Sequence, residues 1–345
     1  DNFFFNASYQ SFDTGAPTVS LPLVVKDNFG IDSWFNVQNA AAPGGASVDV
    51  SVVYSGVACD ETATIEAGAA ATFNQGTNTC LPDGYVGAAT VTATGGDIVA
   101  TVMQVNPDYL TAYNGFTSGS TAPVMPLVQG NNFGTFTGIQ IQNAGTVSTD
   151  VTVTYTPNAL GSVVASCDET QTIAGGSSAT FALNSTCDGL DLANPNGESF
   201  VGSASVTANT ASQPLAAIVN QTNFVNATSY NGMDPAMATD TVIFPLVMAE
   251  NFGYFTGFNV FNAGSAGDVT CTFSDNTVGT FVPADVVVNL GAGESLSEVQ
   301  LGADYNASYV GSATCSATGG SLLGVINQLG SGSGDQFLTS EGFNN

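Results

Sequence analysis

One motif occurs three times in this chain, and that repetition restricts it to a string of like domains. Pro22-Leu23-Val24 is followed by Asn28-Phe29-Gly30 and then by Asn39-Ala40. The same order returns at Pro126-Leu127-Val128, Asn132-Phe133-Gly134 and Asn143-Ala144, and again at Pro245-Leu246-Val247, Asn251-Phe252-Gly253 and Asn262-Ala263. Eleven residues separate the two Asn positions in every copy, and the copies begin 104 and then 119 residues apart. Such a period is the size of a domain rather than of a solenoid repeat. A chain made of one module end to end is usually built for reach or assembly rather than for a single chemical step. The expected boundaries are 17–118, 119–237 and 238–345, preceded by an extended N-terminal connector at 1–16.

Each copy holds short runs rich in Val, Thr, Ile and Phe, broken by Gly, Asn and Asp, without a helical period. In the second copy Ile139 and Ile141 share one face, and Val151 and Val153 alternate with Thr152 and Thr154. Gly175-Gly176 between Ile173 and Ala179-Thr180-Phe181 marks a hairpin, and the same turn recurs at Gly68 and Gly293. The runs amount to about seven strands per copy. The expected fold is all-β: three tandem immunoglobulin-like β-sandwiches. Trp34 reads as the counterpart of Phe136 and Phe255, hence as core. Asn28, Asn132 and Asn251 read as turn caps. Tyr113 and Tyr230, with Tyr9, are expected at junctions.

There are 28 acidic residues against one basic residue, Lys26, no histidine, and a formal net charge of −27. Nucleic acid is thereby excluded as a partner, and an anionic membrane surface would repel the chain. No run of about 18 apolar residues exists to span a bilayer. Without histidine most acid–base and metal chemistry is missing, so neither an enzyme nor a cofactor or metal is expected. Cys59-Asp60-Glu61-Thr62 recurs as Cys167-Asp168-Glu169-Thr170, a carboxylate pair that could help hold calcium. The third copy lacks it, and a solvated turn before a strand is the better reading.

The six cysteines fall two per copy, which predicts disulfides Cys59–Cys80, Cys167–Cys187 and Cys271–Cys315 in an oxidising compartment. Cys271 aligns with Val52 and Val153, and Cys315 with Val91 and Val206. If those valines face each other across the core, a disulfide replaces their contact in the third copy. Sequons begin at Asn6, Asn184, Asn220, Asn226 and Asn306, as in a secreted glycoprotein. The expected location is extracellular or at the cell surface.

The connectors repeat as well. Tyr109–Phe116 and Phe224–Met233 each follow a last strand and lead to the next Pro-Leu-Val. The N-terminus, Phe3-Phe4-Phe5-Asn6-Ala7-Ser8-Tyr9, matches Phe224–Tyr230, and the chain closes on a similar segment from Gln336 to Phe343. One terminal connector is therefore surplus. Its apolar strand can add to a sheet edge of a neighbour and propagate head to tail. Phe3, Phe4, Phe5, Tyr9, Phe337 and Phe343 are the expected interface residues, and the expected partner is a second copy of the chain. A surface adhesin or stalk that binds carbohydrate or another cell, and a surface-layer lattice subunit, are the alternatives.

Pro126–Gly145, taken with Val201–Ala204 and Ile218–Gln221, resembles tandem immunoglobulin-like repeats of bacterial secreted and cell-surface proteins, over nearly the whole chain. The first copy departs at Asp32-Ser33-Trp34-Phe35 and the third at Cys315. The resemblance implies location and architecture and supplies no catalytic residues. In assembly logic the chain is similar to strand-donating pilin-type fibres.

Overall fold

A computed structural model describes residues 7–183, 197–210, 212–276, 281–300, 308–330 and 336–344. Strands dominate, in the order the β-branched runs dictate. Unit 1 comprises β1 (Thr18–Lys26), β2 (Asp32–Asn39), β3 (Val48–Tyr54), β4 (Asp60–Ile65), β5 (Ala70–Asn74), β6 (Tyr85–Thr94), β7 (Ile98–Val105) and β8 (Leu110–Asn114). Unit 2 repeats them as β9 (Val124–Gly130), β10 (Phe136–Asn143), β11 (Thr149–Pro157), β12 (Cys167–Ile173), β13 (Ser178–Ala182), β14 (Phe200–Ala208), β15 (Leu215–Thr222) and β16 (Ala227–Asn231). Unit 3 has β17 (Thr241–Ala249), β18 (Tyr254–Asn262), β19 (Gly267–Phe273), β20 (Val286–Leu290), β21 (Ser295–Val299), β22 (Tyr309–Ala317), β23 (Leu322–Gly330), β24 (Phe337–Glu341) and a short β25 (Phe343–Asn344).

Each unit has eight matching strands rather than about seven, because the connector after each seventh strand pairs with it. β8 lies on β7, β16 on β15 and β24 on β23. The two sheets of unit 1 run β1-β6-β3-β4 and β5-β2-β7-β8, and units 2 and 3 repeat that order. An immunoglobulin sandwich pairs its first two strands in one sheet. Here the first and second strands lie in opposite sheets. Inward side chains of both sheets meet in one core per unit, such as Val19, Phe35, Val50, Val91 and Val102 in unit 1.

The repeated motif has a structural task. At Pro22-Leu23 and Pro126-Leu127 the first strand bulges, since proline has no N–H for the ladder. A buried tyrosine takes up the loose backbone groups. The Tyr113 hydroxyl donates to the Leu23 carbonyl (2.6 Å) and accepts from the Leu23 N–H (3.2 Å). Tyr230 treats Leu127 in the same way, at 2.5 and 3.3 Å. Burial pushes both phenols well above the ordinary tyrosine range.

Several expectations change. The hydroxyls of Ser33, Thr137 and Thr256 all accept a first-strand N–H, from Val25, Gln129 and Met248, and so fix the alignment. Trp34 therefore matches Gly138 and Gly257, not Phe136 and Phe255, and stands half-buried on the outward face of β2. Cys271 and Cys315 are bonded, yet as neighbours on adjacent strands of one sheet rather than across the core. Val52–Val91 and Val153–Val206 are paired in the same manner. Cys59–Cys80 is bonded as expected. Cys167 is bonded too, while Cys187 lies outside the described residues. The Asp-Glu pairs belong to strands, not turns. Glu61 and Glu169 accept the hydroxyls of buried Tyr54 and Tyr155.

Candidate assembly interface

The longest-range polar contacts lie between units, and they form the same joint twice. Strands β15 and β23 place alternate residues outward, where period-two geometry sends them away from their own core. Ile218 on β15 reaches out of unit 2 and packs into the core of unit 1. Val325, at the same position of β23, packs into the core of unit 2. Beside these two residues, Gln104 and Asn220 exchange amide hydrogen bonds (3.4 and 3.0 Å), and Gln221 and Asn327 repeat the exchange (3.4 and 3.3 Å). Gln142 donates to the Thr90 hydroxyl across the first joint (3.1 Å), and Asn259 donates to the Pro126 carbonyl across the second (3.4 Å). The eighth strands also meet, since Asn231 Nδ2 donates to the Asn114 carbonyl (2.8 Å). Most polar groups entering these joints find a partner of the repeat itself, which offsets the cost of burying them, although Gln142 Oε1 and Asn114 Oδ1 are buried without one.

Not all of the sequence-based interface residues occupy a free surface. Phe3, Phe4 and Phe5 lie outside the described residues. Residues 8–11 are not a strand and lie against their own chain. Asn114 Nδ2 donates to the Gln10 carbonyl (2.9 Å), and the Ser8 hydroxyl donates to the Thr339 carbonyl (2.8 Å). Tyr9 is exposed at the mouth of a groove of about 490 Å³ between the ends of the eighth strands. Phe337 is buried in unit 3, where it pairs with Leu329 of β23. Phe343 is exposed but pairs with Ile243 of its own unit. Among the sequons, Asn6, Asn184 and Asn306 lie outside the described residues. Asn220 Nδ2 is committed to the first joint, so a glycan there would prise units 1 and 2 apart. Asn226 is half-buried in a loop, its side-chain Oδ1 accepting from the Gln336 N–H (2.7 Å). Among the described residues no group of acidic or cysteine side chains is placed to hold a metal ion.

Glu341 sits at the edge of the groove in the place of Asn114 and Asn231. Burial pushes its carboxyl up to about 7, against the pull of a hydrogen bond with Gln10. Tyr9, Tyr113, Tyr230 and Asp234 are the other titratable groups in the groove wall. A raised acid pKa means that the folded chain keeps its proton longer than the unfolded chain. The stabilising effect is complete below pH 4.5 and is lost as pH rises through 7, by up to roughly 3 kcal/mol. Glu341→Gln is expected to flatten that part of the stability–pH curve in chemical denaturation. An unchanged slope would show that the carboxyl is solvated.

The Asn-Phe-Gly motifs form two-residue β-turns between the two sheets, closed in unit 1 by Asn28 and Ile31. Their φ angles are positive at both central residues, 50° and 75° at Phe133 and Gly134. Asn, not Phe, suits the first of these positions. The phenylalanines nevertheless stand 96, 92 and 94 % exposed at residues 29, 133 and 252, with little packing within the chain to offset the strain. Phe133→Asn is expected to stabilise the protein by about 1 kcal/mol in thermal unfolding. A loss of stability would reveal a contact for the ring.

Compared with known families, curated proteins and solved structures, the chain matches none.

Proposed function

We propose that this protein is the structural subunit of an extracellular filament that polymerises head to tail and offers its apolar N-terminal segment to a neighbouring copy. The observation that carries this reading is the joint itself. One set of side chains at fixed repeat positions, Gln104–Asn220 and then Gln221–Asn327, binds each unit to the next. A contact between two different faces of one module leaves a face free at each end, so it extends as long as modules are supplied unless its rotation closes a ring. The disulfides Cys59–Cys80 and Cys271–Cys315 fit export to an oxidising compartment. No helix of the described residues is long and apolar enough to cross a membrane. Negative-stain microscopy of the exported protein is expected to show unbranched fibres. Single particles at every concentration, or flat sheets, would reject the proposal.

A further inference from the structure

The third unit is closed by a stand-in for its proper eighth strand. In β8 and β16 the residue opposite Val102 and Val219 is Tyr113 or Tyr230, fully buried and bonded to the bulge leucine. In β24 the residue opposite Ile326 is Ser340, which is exposed. Among the described residues no phenol reaches the bulge of β17, and the Leu246 carbonyl takes the Gln328 amide instead (3.0 Å). The side chains follow. Leu23 and Leu127 are 8 and 4 % exposed, whereas Leu246 is 45 % exposed, and Pro245 is exposed where Pro22 and Pro126 are buried. Ser340 lines the groove described above, which occupies the region a tyrosine would fill.

The other half of the missing joint lies at the opposite end of the chain. On the outward face of unit 1, Asn36 and Gln38 are exposed, at the positions where Asn259 and Gln142 are buried and make the joint bonds. Trp34, Val99, Thr101 and Met103 surround them, half-exposed and uncharged. Aligned on the two internal joints, Asn36 would face the Pro245 carbonyl and Gln38 the Thr314 hydroxyl of another copy. One position departs, since Met103 stands where Asn220 and Asn327 take their glutamine. The N-terminal segment is already in place for this joint. Gln10 lies beside Asn114 as Asn114 lies beside Asn231, with the same donation from an Asn Nδ2 to a backbone carbonyl. Tyr9 precedes Gln10 as Tyr113 precedes Asn114.

We infer that the end of unit 3 is a docking site for a second copy of this chain. The occupant is the outward β2–β7 face of unit 1 together with residues 7–11, whose Tyr9 takes the place of Ser340, bonds both backbone groups of Leu246, and displaces β24. Its warrant is continuity with a joint that the chain forms twice; the acids beside it are Asp32 on the β2 face and Glu341 and Asp234 in the groove wall. The inference rests on the filament reading and names the contact that extends it.

The test measures pelleted polymer by sedimentation for the wild type and three variants, with monomer melting measured alongside. Leu246→Asp, at an exposed position, is expected to lower polymer mass by about tenfold or more. Ser340→Tyr supplies the missing hydroxyl within the chain, so it is expected to raise the monomer melting temperature and to suppress polymer. Val53→Asp, on an exposed position of β3 away from both faces, is expected to polymerise normally. Wild-type polymer that persists in both Leu246→Asp and Ser340→Tyr overturns the docking site and leaves the filament standing. A wild type that forms no polymer overturns both.

Discussion

Ile218→Asp is expected to split the unfolding of this chain into two transitions. Ile218 is completely buried, yet it belongs to the core of unit 1 and not to that of its own unit. Truncating a buried isoleucine costs about 2–5 kcal/mol, and an unpaired carboxylate in its place adds a desolvation penalty of several kcal/mol. The joint has a cheaper response, which is to open. The penalty is then capped by the free energy of the joint, and units 1 and 2 melt separately in calorimetry. Ile218→Val should cost only about 0.5–1.5 kcal/mol and keep a single transition. Thr101→Asp, at the same repeat position in unit 1 but half-exposed, should shift monomer unfolding by less than about 0.5 kcal/mol. A single, scarcely shifted transition for Ile218→Asp would mean that the joint contributes little coupling.

Reduction of the disulfides is expected to strike unit 3 hardest. Cys271 and Cys315 are 44 residues apart and both are inaccessible to solvent, whereas Cys59 and Cys80 are 21 apart. On the chain-entropy account the longer loop is worth about 4 kcal/mol and the shorter about 3 kcal/mol. Guanidinium unfolding with and without reductant should show the larger loss in unit 3. The double substitution Cys271→Val with Cys315→Val restores the valine pair found at Val52–Val91 and Val153–Val206. It should fold, and its stability should lie between those of the oxidised and reduced forms. If reductant releases thiols without any change in stability, the cross-link does not constrain the unfolded chain in the way assumed.

The parts of the fold that depend on neighbouring residues in sequence could be read from the chain. Alternation at Val151–Tyr155 and the cysteine pairs within each copy are local signals that give strands and disulfides, whereas the glycine turn after Ile173, which reads as a hairpin, joins β12 and β13 in opposite sheets. Strand partners are a different matter, because pairing at a distance leaves no mark in a single sequence. The connector Tyr109–Phe116 therefore reads as a linker, since its strand lacks the clean alternation of β7. The cross-core disulfide was a guess about topology for the same reason. A signal for the joint was present. Leu215–Val219 is an unbroken apolar run, and such a strand is covered on both faces. The matching β7 interrupts the run at Thr101, as befits a face left open in one chain. Trp34 shares aromatic character with Phe136 and Phe255, but the constant spacing between the asparagines sets it level with Gly138 and Gly257.

The sole cation has a consequence for any polymer this chain forms. Lys26 is held by the carbonyls of Asn78 and Leu81 (2.9 and 2.8 Å) and by Asp83 (3.1 Å), so its charge is spent inside unit 1. Attraction between opposite charges is then unavailable where one molecule meets the next, and what remains at long range is mutual repulsion of bodies carrying −27 each. Cohesion must come from desolvation and amide pairing alone. Such a fibre should tighten in brine, where the Debye length shrinks to roughly 3 Å at 1 M, and fall apart on dilution into fresh water.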